Sequence, residues 1–535
     1  MAPGDWLWLI WTALLSGFPV IIAGPNLGNF PGVSGDDSWI MSASHKLATE
    51  GVFGSDLYQG FANAERRYFI ALPVYHFLQA GSFAVFGTSV GVARAVTLVS
   101  GVVVLWCVAW LARRWHGAAV AVVAASLIVF WRTNLLNLAS GLSFLSVSRT
   151  GRYDMTAVAF VLLSLVGMEM IRDRERRDFA FATGVLAGLA TLTQFFGAFV
   201  APLIAVLLVV ERGWSVYREP VARWLAAGWF GVVAPYALYV SIYWTDFAGQ
   251  SALKTGRMEF GSPSFYLDNL VDEPDRYRHL FDDFIPALNG QYERFDQPLS
   301  PLLFGVAAIV SLVAHVVRIQ RGPSRGERWL AAAIAVPGLC LALFDGTNAT
   351  LYAAVLLPFI CIAIAHAAVL ALRWSLRQRS LAIGVAAGFL VVAPAVIVAN
   401  ESIAAYQQER VWSGQIVQYD DAAAEIEARL PAGQMVLGAE RWWAGMHDSH
   451  SYVAVTALTR QLVSADERNE PAQLVDIVAR YGIGAIVVDD DCRATIQRLP
   501  LWLQEQFTDL FQNHAEVTGT VNVQSYGEVV VYVLR

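Results

Sequence analysis

Long apolar runs separated by short arginine-rich loops constrain this chain more than any other feature. Each run is long enough, or nearly so, to cross about 30 Å of hydrocarbon. The runs cover 6–23, 91–111, 154–171, 222–244, 299–317, 350–372 and 381–399. Only 15% of the 535 residues are charged and 56% are hydrophobic, whereas soluble domains carry about a quarter charged residues. The sequence therefore predicts a polytopic α-helical membrane protein.

The loop charges predict how the chain crosses the membrane. Five short loops together hold sixteen arginines: 111–117, 171–178, 211–223, 317–328 and 372–380. Positive residues in short loops stay cytoplasmic. The intervening segments 132–153, 245–297 and 345–350 and the tail 400–535 then lie outside. The alternation of sides is consistent if 179–193 and 195–210 are two short spans that meet at Gln194. The sequence then predicts about eleven spans. The first apolar run is predicted to be a retained span.

One further apolar segment, 69–87, does not fit this count. As a span it would either put the loop that contains Asp36 in the cytoplasm or move the five arginine loops outside. A helix lying along the outer membrane surface avoids both outcomes, and Pro73, His76 and Gln79 are tolerated there. We predict this interfacial placement.

The tail changes character after about Asn400. DAAAEIEARLP is typical of an amphipathic helix, QMVLGAE of a strand, PAQLVDIVARYGIGAIVVDDD of a helix, a turn and a buried strand, and YGEVVVYVLR of a closing strand. About 135 residues suffice for a small soluble domain. We therefore predict a membrane domain over 1–400 and an extracytoplasmic α/β domain over 401–535.

Asp36 and Asp37 are adjacent carboxylates just past the first apolar run, in GVSGDDSWIMSAS. A carboxylate near a membrane interface and close to another one can act as a base. The alternative is an N-cap, because GDDSW begins a predicted helix over about 37–50 and Asp is favoured at that position. Neighbouring residues cannot face the same way on a helix, so one is expected to face a cavity and the other to cap or brace. The two roles are compatible.

A second charged cluster stands in SRTGRYDMTAVAF, where Arg149, Arg152 and Asp154 lead into an apolar run. Charge at the outer end of a span is costly unless it is paired or used. Guanidinium groups bind phosphate in a bidentate manner, which favours an anion site. A local pair between Asp154 and either arginine explains the cluster equally well.

Other features carry less chemistry. The long loop 245–297 contains Arg257 and could cover a site, and His76 and His366 in apolar surroundings are interpreted as structural. No glycine-rich phosphate loop, zinc-ligand spacing or nucleophile elbow is present in the sequence. No basic tract indicates a nucleic-acid partner.

Taken together, the two clusters resemble the GT-C superfamily of membrane glycosyltransferases, in particular the branch of protein O-mannosyltransferases and lipid A aminoarabinose transferases. That branch has an acidic pair in its first outer loop, to which GDDSWIMSASHKLATEGVFGSD is similar. An interfacial helix and an Arg-containing span follow, matched by Pro73, Tyr75, Phe86, Gly87 and Arg94. An Arg before an Asp at a span start is matched by SRTGRYDM. The likeness covers roughly 5–200.

The resemblance implies an inverting transfer of a hexosyl or pentosyl group. The donor would be a polyprenyl-phosphate sugar and the acceptor a hydroxyl of a lipid, glycan or protein on the outer face of the cell membrane. Asp36 would be the base, with Asp37 and Asp154 orienting the acceptor or supporting Asp36. Relatives differ in whether they use a divalent metal, and the sequence leaves metal use open.

The chain departs from the family pattern at the donor phosphate. The lysine that contacts this phosphate in the family is missing, because Ala71-Leu72-Pro73 stands at that point. The candidates to replace it are Arg67, Arg149, Arg152 and Arg257.

Two other classes of function compete with the transferase. A multi-span transporter of a lipid-linked or cell-envelope substrate would be expected to show inverted repeats and charged or broken segments at mid-membrane depth. Here the ionisable residues concentrate at the outer rim. A non-catalytic membrane scaffold would leave these rim charges unexplained.

Overall fold

The computed structural model describes most of the chain. The described residues are 6–131, 148–174, 176–251, 261–278, 300–347, 350–377, 385, 392–401, 403–404, 407, 418–467, 473–523 and 526–535.

The part before residue 400 is helical. Its helices are α1 (Leu7–Ala23), α2 (Gly35–Glu50), α3 (Pro73–Phe86), α4 (Val90–His116), α5 (Ala118–Phe130), α6 (Asp154–Arg174), α7 (Arg177–Thr191), α8 (Val200–Arg212), α9 (Pro220–Ile242), α10 (Trp244–Ser251), α11 (Pro263–Arg278), α12 (Ser300–Gln320), α13 (Arg325–Phe344) and α14 (Leu357–Ser375). Among the described residues, eight helices are long and apolar enough to cross a membrane, and 118–130 and 392–401 form shorter apolar helices. The predicted polytopic α-helical class is confirmed, and about eleven spans is roughly consistent with these helices.

Helices α7 and α9 pack closely because glycines line their contact. A methyl group at Gly184 would overlap the Leu225 carbonyl oxygen, and one at Gly228 would overlap the Phe181 carbonyl oxygen. Small residues of this kind let the backbones of membrane helices approach each other. The predicted junction at Gln194 lies between α7 and α8, where the Gln194 side chain accepts a hydrogen bond from the Phe195 N–H.

Helix α2 begins at Gly35, two residues earlier than the predicted start at about 37. Its N-cap is Ser34, not an aspartate, and Ser34 and Asp37 bond each other reciprocally in a capping box. The helix ends at Gly51, whose positive φ of 70° suits glycine. Asp36 and Asp37 thus occupy the first turn, where carboxylates complement the helix dipole.

Helix α3 lies within 69–87, the apolar segment that did not fit the predicted number of spans. It has 14 residues and starts with Pro73 at its first turn, which gives a length of about 21 Å at 1.5 Å per residue. This is shorter than the roughly 30 Å of a hydrocarbon core. The length favours the predicted placement along the membrane surface.

The tail forms a small α/β unit. Its helices are α15 (Tyr419–Glu427), α16 (Trp443–Met446), α17 (Val455–Glu467), α18 (Leu474–Tyr481), α19 (Asp490–Gln497) and α20 (Leu501–Asn513), and its strands are β1 (Met435–Gly438), β2 (Tyr452–Ala454), β3 (Ile483–Val488), β4 (Ala515–Val523) and β5 (Gly527–Leu534). The sheet order is β2-β1-β3-β5-β4. β1 is parallel to β2 and β3, whereas β5 is antiparallel to β3 and β4.

The tail packs directly on the region between α1 and α4. One hydrophobic cluster joins Val33 and Ile40 of the loop region to Trp442 and Tyr526 of the tail. Polar contacts reinforce it: the Val33 N–H donates to the Tyr526 hydroxyl at 2.6 Å, and the Ser38 hydroxyl donates to the Arg441 carbonyl at 3.1 Å. The start of α2 therefore lies beneath the tail.

Candidate active site

The acidic pair and the second charged cluster meet at one place, although more than 100 residues separate them in the chain. The first turn of α2 supplies Asp36 and Asp37, the segment before α6 supplies Arg152, and the first residue of α6 is Asp154. The Gly151 N–H donates to Asp37 Oδ1 at 2.8 Å, across 114 residues of sequence. The two predicted clusters are thus parts of a single polar network.

Asp37 is buried and is bonded by other parts of the protein. It is 2% exposed, and Arg94 donates to both of its oxygens, from Nε to Oδ1 at 3.1 Å and from Nη2 to Oδ2 at 2.9 Å. Burial alone would raise the pKa of Asp37, but the Arg94 charge and the bonds from Arg94, Ser34 and Gly151 outweigh it and lower the pKa. Asp37 therefore stays ionised and bonded.

Arg94 was a family landmark in the sequence but not one of the predicted site residues. Its side chain is fully buried. Besides Asp37, its Nη1 donates to the carbonyl oxygens of Leu27 and Pro31 at 3.1 and 2.7 Å. A buried guanidinium needs this many acceptors. Arg94 joins α4 to the turn before α2 and holds Asp37 in place.

Asp36 has a different environment from its neighbour. Its side chain is 41% exposed. Oδ1 accepts a hydrogen bond from Trp39 Nε1 at 2.9 Å, and Oδ2 accepts one from Arg152 Nη1. Asp36 is oriented on both oxygens and remains accessible to another molecule.

Arg152 bridges two carboxylates. Its Nε donates to Asp154 Oδ2 at 2.9 Å while its Nη1 reaches Asp36. Asp154 is 2% exposed and also accepts a hydrogen bond from Gln194 Nε2 at 3.3 Å. Burial by itself would lower the pKa of Arg152, but the charges of Asp154 and Asp36 outweigh it and raise the pKa. The local pair that the sequence offered as an alternative is present, and Arg152 keeps its charge.

The tail contributes a carboxylate that the sequence did not indicate. Glu440 packs against Gly35, where a Cβ would lie 3.8 Å from Glu440 Oε2. The pKa of Glu440 is raised, mainly because the carboxyl group is buried. The hydrogen bond from Thr456 lowers this pKa, whereas the negative charge of Asp36 raises it further. The phenol of Tyr58 is buried near Glu440 and Asp36, and burial followed by these two charges raises its pKa. No local sequence signal marks Glu440, because its proximity to Asp36 arises only from packing of the tail on α2.

Trp39, which donates a hydrogen bond to Asp36, belongs to a group of aromatic side chains. Trp39 contacts Tyr68 and Tyr153, with ring centroids 6.4 and 6.2 Å apart. Flat rings of this kind provide apolar surface beside a polar centre.

The remaining predicted arginines lie in different settings. Arg67 Nη1 donates to Asp246 Oδ2 at 2.8 Å, and its guanidinium lies 3.9 Å from the Tyr243 ring centroid, at the junction with α10. Arg149 is 3% exposed, with its guanidinium 4.4 Å from the Phe30 ring centroid. Arg257 lies outside the described residues.

The described carboxylates at this position are held by hydrogen bonds and do not converge as a group of three metal-ligand atoms. Asp37 is bonded to Arg94, Ser34 and Gly151, and the carboxylate of Asp154 is bonded to Arg152 and Gln194. Within the described ranges, the group of three or more close ligand atoms that could hold a metal is formed by histidines elsewhere. The chemistry offered here is one accessible carboxylate beside one guanidinium.

A family model describes part of the chain. Residues 71–239 match the model of the dolichyl-phosphate-mannose-protein mannosyltransferase family. A search of curated proteins found no match.

Solved structures match nearly the whole chain. ArnT from Cupriavidus metallidurans in the apo state is 16% identical, with a TM-score of 0.59 over 98% of this chain and 97% of that chain. The same enzyme bound to undecaprenyl phosphate is 15% identical, with a TM-score of 0.59 over 98% of each chain. The oligosaccharyltransferase from Archaeoglobus fulgidus in the apo form is 13% identical, with a TM-score of 0.58 over 98% of this chain and 74% of that chain. The chain is thus a multi-pass membrane protein with the fold of the GT-C superfamily of membrane glycosyltransferases, as its sequence predicts.

Proposed function

We propose that this protein is an inverting glycosyltransferase that moves a sugar from a polyprenyl-phosphate donor to an acceptor hydroxyl on the outer face of the membrane. The observation that carries the proposal is the accessibility of Asp36, whose side chain is 41% exposed while those of Asp37 and Asp154 are 2% and 3% exposed. A base must reach the proton that it removes. The match to undecaprenyl-phosphate-bound ArnT supports the class of donor.

In the proposed reaction, the acceptor oxygen attacks the anomeric carbon on the face opposite the phosphate. The new carbon–oxygen bond forms as the bond from the anomeric carbon to the phosphate oxygen breaks, and the electron pair leaves with the lipid phosphate. The acceptor proton moves to Asp36. Such a base contributes about 10²–10⁴-fold to the rate.

Arg152 couples the donor to the base in this proposal. It is one of the predicted phosphate-binding residues and directly contacts Asp36, and guanidinium groups stabilise departing phosphates. Because the donor phosphate and Asp36 compete for Arg152, donor binding weakens the contact with Asp36 and makes this carboxylate a better proton acceptor. Asp154 keeps Arg152 near the reacting atoms throughout. Arg67, Arg149 and Arg257 remain proposed contributors to phosphate binding.

The test is transfer by the purified protein in detergent, with a panel of radiolabelled polyprenyl-phosphate sugars and an acceptor-containing membrane extract. For the donor that is consumed, Asp36→Asn should lower turnover by about 10²–10⁴-fold because the base is lost. Asp56→Asn is the matched control, since Asp56 is a carboxylate of the same outer loop, 54% exposed and paired with Lys46.

Two outcomes would contradict the proposal. One is full activity of Asp36→Asn. The other is that no donor in the panel is converted to a product, as expected of a transporter, which moves its substrate without changing it. Detergent removes the two membrane compartments, so chemical conversion alone gives the signal.

A further inference from the structure

Three histidines from three separate helices meet at the other end of the membrane domain. His116 is the last residue of α4, His315 lies on α12 and His366 lies on α14. One ligand atom from each lies within 4.8 Å of the others. Arg94 and His116 are 22 residues apart on α4, or about 33 Å at 1.5 Å per residue, so this cluster is separate from the carboxylate site.

The spacing of two of these imidazoles matches metal coordination. His366 Nδ1 and His315 Nε2 are 3.4 Å apart. Nitrogen ligands at about 2.0–2.1 Å from a tetrahedral zinc ion lie about 3.3–3.4 Å from each other. One ion could therefore replace the proton between these two nitrogens with little movement of either ring.

The hydrogen bonding of His315 suits a metal ligand. Its Nδ1 lies 3.0 Å from the Ser311 carbonyl oxygen, which can only accept, so Nδ1 carries the proton and Nε2 presents its lone pair. A backbone carbonyl on the other ring nitrogen is the usual outer partner of a metal-binding histidine. His315 and His366 are 5% and 7% exposed, which keeps competing water away.

The third histidine, His116, lies close to the other two, but its ring is not oriented for metal coordination. The His116 ring stacks on that of His366, with centroids 3.9 Å apart and planes 18° apart. Its Nε2 is buried and has no hydrogen-bond partner among the described residues. A buried nitrogen without a partner is unfavourable, and coordination to a metal would satisfy it. The three ligand atoms lie within 4.8 Å of one another, so a shift of about 1.4 Å or less, within reach of a ring rotation at the helix end, brings them to the spacing of zinc ligands.

We propose that His116, His315 and His366 form a binding site for a divalent transition metal of the zinc class. Imidazole ligands suit zinc, copper, nickel and cobalt, whereas magnesium and calcium prefer oxygen. Three protein ligands leave one tetrahedral position for water. The ion joins α4, α12 and α14 at the end of the domain opposite Asp36 and stabilises their packing.

The test uses the full-length protein in detergent, stripped with a chelator and then titrated with zinc or cobalt. We expect one bound metal per chain that depends on these histidines, a visible absorption spectrum typical of tetrahedral cobalt, and a metal-dependent rise in Tm. His315→Gln and His366→Gln should each lower affinity by more than the 10–100-fold that loss of an outer partner costs. His76→Gln is the control, because His76 is equally buried but lies on α3.

The Tm values of the metal-free wild type and variants distinguish the loss of a ligand from misfolding. If the variants match the stripped wild type in Tm, a loss of metal binding is due to the missing ligand and not to misfolding. The proposal is overturned if the wild type binds no zinc or cobalt, or if His315→Gln and His366→Gln keep the bound equivalent. The second result would assign the metal to another set of histidines, and the stacked rings would then be a packing feature.

Discussion

Asp36 and Asp37 show how one residue of displacement along a helix places two carboxylates in different surroundings. Successive residues on a helix point about 100° apart, so Asp37 turns inward to Arg94 while Asp36 turns to Trp39 and Arg152. The inward carboxylate is stabilised by cationic and backbone donors. The outward one keeps an accessible edge, which is what proton transfer requires.

Replacement of Asp37 by Asn should be far more harmful to stability than the same change at Asp36. It leaves the buried Arg94 without its anionic partner, and removing one partner of a buried pair typically costs about 3–5 kcal/mol. Thermal unfolding in detergent should show a clearly lower Tm for Asp37→Asn, whereas Asp36→Asn should stay near the wild type. Equal Tm values for the two variants would contradict the structural role of Asp37.

The same pair predicts the sign of a pH effect. Arg94 and the backbone donors lower the pKa of Asp37 from its ordinary value of 3.8. Its contribution to stability is therefore present above pH 3.8 and is lost as the pH falls further, through the lowered pKa. The Tm difference between wild type and Asp37→Asn should stay constant from pH 7 to about pH 5 and shrink in more acidic buffers. A difference that disappears near neutral pH would argue against an ion pair.

At the scale of elements, the turn before α6 connects the two halves of the site. Gly151 donates its N–H to Asp37, and Arg152, the next residue, reaches Asp36. A Cβ at Gly151 would lie 2.7 Å from Asp37 Oδ1, closer than packed atoms allow. The turn can approach α2 only because residue 151 has no side chain.

Gly151→Ala should therefore displace the turn and with it Arg152. We expect a loss of about 1–3 kcal/mol from overpacking and reduced sugar transfer, measured by thermal unfolding and by the detergent assay. Gly81→Ala on α3 is the control, since a Cβ there meets nothing within 4 Å. That change should be neutral or stabilise by about 0.5–1 kcal/mol, because alanine favours a helix over glycine. Similar losses in both variants would exclude the contact with Asp37 as the cause.

The elements of the tail illustrate how far local patterns reach. The predicted helix and strands at DAAAEIEARLP, QMVLGAE and YGEVVVYVLR correspond to α15, β1 and β5, because amphipathic and alternating patterns are local properties. Strand β2 was not predicted, and it has only three residues. Its strand conformation depends on its pairing with β1, and a run of three residues is too short to predict such pairing.

At the scale of the whole molecule, the tail and the region between α1 and α4 share one hydrophobic cluster, and Glu440 lies next to the start of α2. The two parts must therefore lie on the same side of the membrane. The loop arginines predict that this side is the outer one.

Cysteine labelling tests this sidedness. In a background without the four native cysteines, a cysteine at Leu501, which is 75% exposed in the tail, should react with an impermeant maleimide in intact cells. A cysteine at Trp214, 78% exposed in an arginine-rich loop, should react only after lysis. The reverse pattern would overturn the predicted topology and, with it, an acceptor on the outer face.

The sequence by itself determined the polytopic helical class, the candidate acidic pair and the GT-C likeness, because hydropathy and short motifs are properties of neighbouring residues. Only the tertiary structure decided which carboxylate is accessible. Asp37 is buried by Arg94 and Gly151, which are 57 and 114 residues away, and Glu440 reaches α2 from the tail. The three histidines likewise meet only when α4, α12 and α14 pack. Contacts between distant segments depend on how whole helices and the tail fit together, and no local pattern contains that information.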